Sequence, residues 1–542
     1  MQITYEGLAP PSPDAPNSLS ASFEQAPRAD FTTATNGAEP RLAWARSTHG
    51  AGFSFSDGGL WSLNMGGRTA RDAALASRVS NDLATSNAPI ATLLLNLTTQ
   101  AIGTGLTLSS KPRADEIGVT PEQARDLSNQ IETKWAAWAG NPLECDIAGR
   151  FDVHQMAGAF YRNWLLNGES LATLEWLALR DAKTKTKVNV LDISQLDRSI
   201  TRSENGRNII QGVAFDQHGR VAGYMLRPLP LGAQRSAPQA TYVEGFTSWG
   251  RCKVIHAFQF DDPRQVRGLS PLTGALTPAK EQDTLAEFTL GKALIDTSFT
   301  TTIESSLPTS VALDSLSVND RAGGIASTVG EWLDSHEQFY SKAKITPQVG
   351  TVTHLMPGDK LMQHESESPS NNFDAFDKSL LRKTAKAAGT AYEDISGDYA
   401  DTSFSASRLA TALPHEINLR RRKDIAERFY RAVFEAWLEE AIATATIKLP
   451  AGACDFYVAK EAYCNARFLG KGRVSPDEKK TREATILGLE TGLISLTEAY
   501  AEDGKDFEAQ METLQHEKQY LESVGLEHPF FAAQQRKRAK AA

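Results

Sequence analysis

Apolar residues recur at helical spacing from Arg68 to Ala101, a stretch that reads as two helices. Asn87 to Pro89 interrupts the pattern, and the second helix covers about Ile90 to Ala101. Gly103 and Gly105 flank its exit into a strand, GLTLSS. A third helix starts with Thr120 as N-cap and Pro121 as first helical residue, and carries Trp135 and Trp138 on its apolar side as core. Phe151 to Asn167 forms another, with Phe151, Met156, Phe160, Trp164 and Leu165 apolar and Gly168 closing it. The period then shortens. ESLATLEWLAL, VNVLDISQLDR, NIIQGVAFDQHGRVAGYMLRP and KVIHAFQF read as short β runs, with a hairpin turn at Asp216 to Gly219. This part of the chain is α+β with a mostly antiparallel sheet.

Helical spacing returns from Leu272 to Phe299, where about 28 residues make a helix roughly 42 Å long. Pro278 should kink it near its start, and Lys280, Glu281, Asp283, Glu287 and Lys292 occupy its other faces. Mixed short β runs follow as an inserted subdomain. Next comes SPSNNFDAFDKSLLRKTAKAAG, a short amphipathic helix, then TAYEDISGDYADTSFSASR, an acidic mobile loop rich in Gly, Ser, Thr and Tyr. LATALPHEINLRRRKDIAERFYRAVFEAWLEEAIATA closes the stretch as a long helix. Its apolar set Leu409, Leu413, Ile417, then Ile425, Phe429, Val433 and Trp437 keeps a four-residue spacing, the mark of a packing stripe, and Pro414 should bend it. GACDFYVAKEAYCNARFLG has no readable pattern. Ser475 to Glu478 and Ser495 to Glu498 are capping boxes opening C-terminal helices, with breaks near Gly492 and Gly504 and a basic tail, QQRKRAKAA.

Composition adjusts this picture at a few points. Residues 1–40 are rich in Pro, Ala, Ser, Asn and Thr and lack the apolar surface that offsets ordering entropy, so they read as a flexible arm. The first residues show neither the basic nor the apolar region of a signal peptide, and the longest apolar run, IATLLLNL, is far short of the roughly 20 residues of a membrane span, so no membrane partner is expected. The formal net charge of −9 argues against a free-standing, tight, non-specific DNA binder. It leaves room for a protein that DNA slides past. Cys145, Cys252, Cys454 and Cys464 make no Cys-x-x-Cys pair and read as reduced thiols; Cys454 and Cys464 lack the paired histidines of a zinc site.

The motifs of common enzymes are missing. Gly291-Lys292 and Gly470-Lys471 have Ala286 and Asn465 where a phosphate-binding loop needs its upstream Gly. His415-Glu416 is not followed by the second histidine of a zinc protease, and there is no Gly-x-Ser-x-Gly elbow. Glu169, at a helix–strand junction, reads as a paired or capping acid. One dense acidic cluster remains: Glu393, Asp394, Asp398 and Asp401. It is either the magnesium site of a metal-dependent nuclease or a solvated polar loop, and no general base lies near it in sequence. The run Arg420-Arg421-Arg422-Lys423 points in almost all directions on a helix, so ion pairs with Asp424, Glu427 or a neighbouring subunit are expected instead of a DNA groove. A structural capsid-associated scaffold without a DNA channel is the third reading.

Several stretches, in order, resemble the lambda-type family of tailed-phage portal proteins: SNAPIATLLLNLTTQAIGTGLTL, WLLNGESL, GVAFDQHGRVAGY, IHAFQFDDPRQVRGLSPL, HLMPGDKL, SPSNNFDAFDKSLLRKTAKAAGTAYEDISGDYADTSFSASR and SPDEKKTREATILGLETGLISLTEAYAEDGKDFE. The likeness runs from about Ala70 to about Gly525. Phe468 stands where the family usually has Trp, and Ala406 where it often has Ser. The resemblance implies a portal-protein fold of α+β class, a non-enzyme without cofactor or metal, assembled as a ring usually of twelve subunits at one vertex of the head. By order, 41–270 would be an α/β wing, 271–302 and 366–390 two stem helices, and 303–365 a small β-containing clip. Residues 391–408 would be the tunnel loop, 409–468 the long helix and return to the wing, and 469–542 a helical crown with its basic tail. The loop residues expected to face DNA are Asp394, Ser396, Asp398, Tyr399, Asp401, Thr402 and Ser403. Implied partners are further copies of the chain, double-stranded DNA in transit, the terminase large subunit, head-completion or neck proteins, and the major capsid protein with its scaffold. The implied location is the virion, with host cytoplasm during assembly.

Overall fold

In a computed structural model the described residues are 65–532, apart from 181, 205, 229–238, 262, 264, 299–300, 306–333, 335–337, 339–358, 364–372, 401–402, 471 and 473–477. The expected N-terminal arm, nearly all of the expected clip and the capping box at Ser475 lie outside them. Asn64–Ala542 forms one unit by itself.

The chain begins with helices α1 (Met65–Ser86) and α2 (Ala88–Ala101). Asn87 separates them: its side chain accepts from the Ile90 amide and caps α2, with Pro89 in the first turn where no amide partner is lost. Strand β1 (Thr107–Ser110) and the short α3 (Ala114–Ile117) lead to α4 (Pro121–Ala139), opened by a reciprocal capping box of Thr120 and Gln123. After the short α5 (Pro142–Cys145) comes α6 (Val153–Asn167), closed by Gly168 at φ 82°.

Strands β2 (Glu169–Trp176), β3 (Thr186–Leu191), β4 (Arg202–Glu204), β5 (Arg207–Ile210), β6 (Val213–Phe215), β7 (Val221–Leu226), β8 (Thr241–Glu244) and β9 (Val254–Phe258) make two sheets, of order β3-β2-β9 and β4-β5-β6-β7-β8. Every pairing between them is antiparallel. Gln211 and Gly212 have positive φ and form the two-residue turn that matches the strand twist between β5 and β6. The expected turn at Asp216 joins β6 to β7, its carboxylate accepting from the amides of His218 and Arg220. Leu171, Leu196, Val213, Tyr224, Leu226 and Val254 pack the sheets together.

The long α7 (Thr273–Ser298) is continuous through Pro278. Strands β10 (Thr301–Ser305) and β11 (Asp359–Gln363) pair antiparallel at the two ends of the inserted segment, and α8 (Phe373–Ala388) returns along α7. Then come α9 (Tyr392–Ser396), α10 (Phe404–Arg421), one π turn (Arg422–Ala426) and α11 (Glu427–Ala443). The pattern-free stretch holds α12 (Lys460–Tyr463) and β12 (Ala466–Leu469), and β12 pairs with β1. Helices α13 (Glu478–Glu490), α14 (Leu496–Glu502) and α15 (Phe507–Ser523) end the described chain, with the Ser495–Glu498 capping box present. The core centres on α11, where Phe434 and Trp437 meet Trp135 and Trp138, and Phe429 meets Phe160. No described helix is long and apolar enough to cross a membrane.

Candidate nucleic-acid interface

The segment the resemblance assigns to DNA is shorter as a loop than its composition suggests. Tyr392–Ser396 is helical, Gly397 leaves it in the left-handed conformation at φ 66°, and α10 already starts at Phe404. The loop proper is therefore 397–403. Local polar side chains had masked the helix: the Thr390 hydroxyl donates to the Asp394 carboxylate at 2.9 Å and the Asn96 amide donates to the Asp394 carbonyl, tying α9 to α2. Ser396 accepts from the Asp398 amide at 3.1 Å, and Asp398 accepts from the Ala400 amide at 3.1 Å. Ser403 caps α10 by accepting from Ala406. Tyr399 stands 57% exposed. Asp401 and Thr402 lie outside the described residues.

Carboxylates are thus spread along the segment. Among the described residues no group of three His, Cys, Asp or Glu is placed to hold a metal ion. Asp398 instead lies 3.8 Å from the Lys378 ammonium of α8, which also bonds Asp374 at 3.1 Å. The hydrogen bond Lys378 donates to Asp374, with the charges of Asp374 and Asp398, raises the Lys378 pKa. One turn further, the Arg382 guanidinium lies 5.1 Å from the centre of the Tyr392 ring. Sequence reasoning passed over Lys378 and Arg382, although their four-residue spacing on one helix face was a legible signal.

The basic run of the long helix is divided by burial. Arg420 pairs with Asp424 at 3.5 Å and Lys423 is exposed. Arg421 and Arg422 are buried; burial lowers the Arg422 pKa, and the charge of Glu427, one of the expected partners, acts against it. Arg421 stands over the Trp164 ring, and Arg422 donates to the carbonyls of Ala101 and Gln100 at 2.7 and 2.9 Å, closing the C-terminus of α2. The apolar stripe is also split. Ile425, Phe429, Val433 and Trp437 are core, but Leu409 and Leu413 face solvent.

Glu169 is a paired acid, as its junction position suggested, and the structure makes it a hub. Its side chain is fully buried, and Arg267 grips it with two bonds, at 2.6 and 2.7 Å, joined by His256 at 3.0 Å and by Arg198. Burial pushes the carboxyl pKa up, but Arg267, His256 and Arg198 outweigh this and hold it well below the usual carboxylate range. Burial, against the pull of Glu169, lowers the His256 pKa. Arg267 also donates to the carbonyl of Gln211 at 2.7 Å. The grip depends on close backbone approach: a Cβ on Gly268 would meet the Gly168 oxygen at 2.0 Å. The cluster locks the end of α6, both sheets and the entry to α7, so it sets where the α7–α8 pair leaves the sheet-bearing body. Its members lie far apart in sequence, and no local pattern links them.

The family described as "Phage portal protein, lambda family" matches residues 64–422. The chain belongs to this family. Portal protein B of Escherichia phage lambda is 27% identical over 494 residues, covering 90% of this chain and 92% of its own length. The portal protein of Escherichia phage N15 is 27% identical over 495 residues, with the same coverages. A chain in the solved virion of a native gene transfer agent particle matches at 14% identity and a TM-score of 0.39, covering 80% of this chain and 94% of that one. The protein is a phage portal protein, of mixed helix and sheet, from a family that is structural in kind, and it acts as a component of the virion. Within it, the match ends at the π turn, so it takes in the hub, α7, α8, the loop and α10.

Proposed function

We propose that copies of this chain close into a ring, usually of twelve, at one vertex of the head, and that its centre conducts double-stranded DNA inward during packaging and outward during ejection. The observation that carries this reading is the continuous run α7, insertion, α8, α9, loop, α10. An antiparallel helix pair carries the β10–β11 strand pair at one end and a short polar loop at the other. Residues 303–365 then form the outward clip that meets the terminase large subunit and later the neck proteins. Residues 41–270 form the wing toward the capsid protein and scaffold, and 469–542 the crown inside the head. Along α9 and the loop, Asp394, Asp398 and Asp401 repel phosphate while Ser396, Tyr399, Thr402 and Ser403 offer neutral contacts, so that DNA slides without sticking. The motor's ATPase is the separate terminase.

Negative-stain images of purified protein should show rings with a central hole. Deleting residues 394–403 should leave rings and heads that assemble but package or retain DNA poorly. Unchanged packaging and retention in that deletion would remove the loop from the mechanism, and a monomer at every salt and concentration would remove the ring.

A further inference from the structure

Helix α8 carries cations at Lys378, Arg382 and Lys386, each four residues after the last. Four residues advance a helix by about 6 Å and turn it about 40° past a full revolution, so the three fall within one arc about 12 Å long. Lys383 flanks the arc, and Arg382, Lys383 and Lys386 are all exposed. None of these three forms an ion pair among the described residues, whereas the acids of the helix, Asp374 and Asp377, sit in its first turns and are engaged by Lys378 and by Gln282 of α7. Two contacts put this arc on the same side of the subunit as the candidate tunnel loop. Lys378 reaches Asp398 of the loop at 3.8 Å, and Arg382 stacks over Tyr392 of α9 at 5.1 Å. In a chain of net charge −9, a helix face with several exposed cations and no exposed acid beyond its first turn is a local reversal of sign.

We propose that Lys378, Arg382 and Lys386, flanked by Lys383, form a track that contacts the phosphate backbone of double-stranded DNA beside the tunnel loop. This rests on the conduit reading above and adds the protein surface that DNA touches through its charge. Over about 12 Å of axis one DNA strand presents about four phosphates, so the cations meet successive phosphates without reading bases. The acidic loop next to the track keeps the contact weak. Asp374 and Asp398 already neutralise Lys378 in part, which leaves Arg382 and Lys386 as the principal phosphate contacts. A ring repeats this short track in every subunit, and each contact breaks as easily as it forms.

The test uses the full-length assembled ring and a short blunt duplex of random sequence, with binding followed by fluorescence anisotropy from low to high salt. Each phosphate contact contributes about 0.9 to the slope of log affinity against log salt. Arg382→Gln with Lys386→Gln should lower that slope by at least about one, with rings intact. Arg382→Lys, which keeps the charge and loses the stacking on Tyr392, should keep the wild-type slope. A double variant with an unchanged slope, or wild-type rings that bind no duplex at low salt, overturns the track and leaves the conduit reading standing. A double variant that no longer assembles overturns it too, because the strip is then a contact between subunits. If heads built on wild-type rings take up no DNA, the conduit reading itself fails and the track with it.

Discussion

The long helix divides at the π turn into two parts with the same apolar spacing and opposite surroundings. In α11 and the turn before it, Ile425, Phe429 and Val433 are completely buried and Trp437 nearly so, inside a cluster of aromatic rings from α4 and α6. In α10, Leu409 is 79% exposed and Leu413 68% exposed. One half is the core of the subunit. The other is held to α2 by a bond from Asn418 to Gln100 and leaves its leucine face open. A four-residue period identifies a face that wants to be covered, but it does not say by what. In the ring proposed above, a neighbouring subunit would supply the cover that the open half lacks.

The largest effect should come from the buried half. Trp437→Ala removes a ring 5.3 Å from Trp135 and 6.0 Å from Trp138, and should cost about 3–5 kcal/mol in chemical denaturation. A loss below about 1 kcal/mol would erase the contrast with α10. At the boundary, Arg422→Ala leaves the Gln100 and Ala101 carbonyls of α2 without their donor, and should cost about 1–3 kcal/mol. In the open half, Leu409→Ser with Leu413→Ser should change subunit stability by no more than about 0.5 kcal/mol while shifting the population from rings to smaller species in native mass spectrometry. Intact rings in that variant would mean that the leucine face is not a subunit contact.

The smallest effect separates the halves by pH. Burial in α11 raises the pKa of the Glu435 carboxyl above its ordinary 4.5. The folded state therefore holds this proton more tightly than the unfolded one. Its contribution to stability is complete below the ordinary pKa and is lost as pH rises through the raised one. Glu435→Gln lacks that loss, so its Tm should match the wild type near pH 4 and exceed it slightly near neutral pH. A gap that stays constant across this range would show that the carboxyl is not desolvated.

Much of the fold was legible because it is written locally. Thr120 with Pro121, Ser495 with Glu498, Asn87 with Pro89 and Asp216 in its turn act over a few residues, and each is where the pattern put it. The helix pair around the insertion followed from period and length, and Glu169 was legible as a paired or capping acid, though its three partners were not. In the candidate site, the order of helix, polar segment and long helix was legible, while the short α9 was not. Its polar residues read as loop, and its anchors include Asn96, which is remote in sequence.

What the sequence by itself determined was most of the longer elements, several of their caps and breaks, and the membership in a family that those stretches carry in order. What only the tertiary structure decided was which faces meet. It brought Arg198, His256 and Arg267 onto Glu169, paired β12 with β1, buried Arg421 and Arg422 beside two exposed neighbours, and left Leu409 and Leu413 open. The physical reason is range. Helix periods, caps and turns are closed by hydrogen bonds a few residues apart. The burial of a charge or a leucine depends on partners brought close only once the whole chain has packed, or supplied by another subunit.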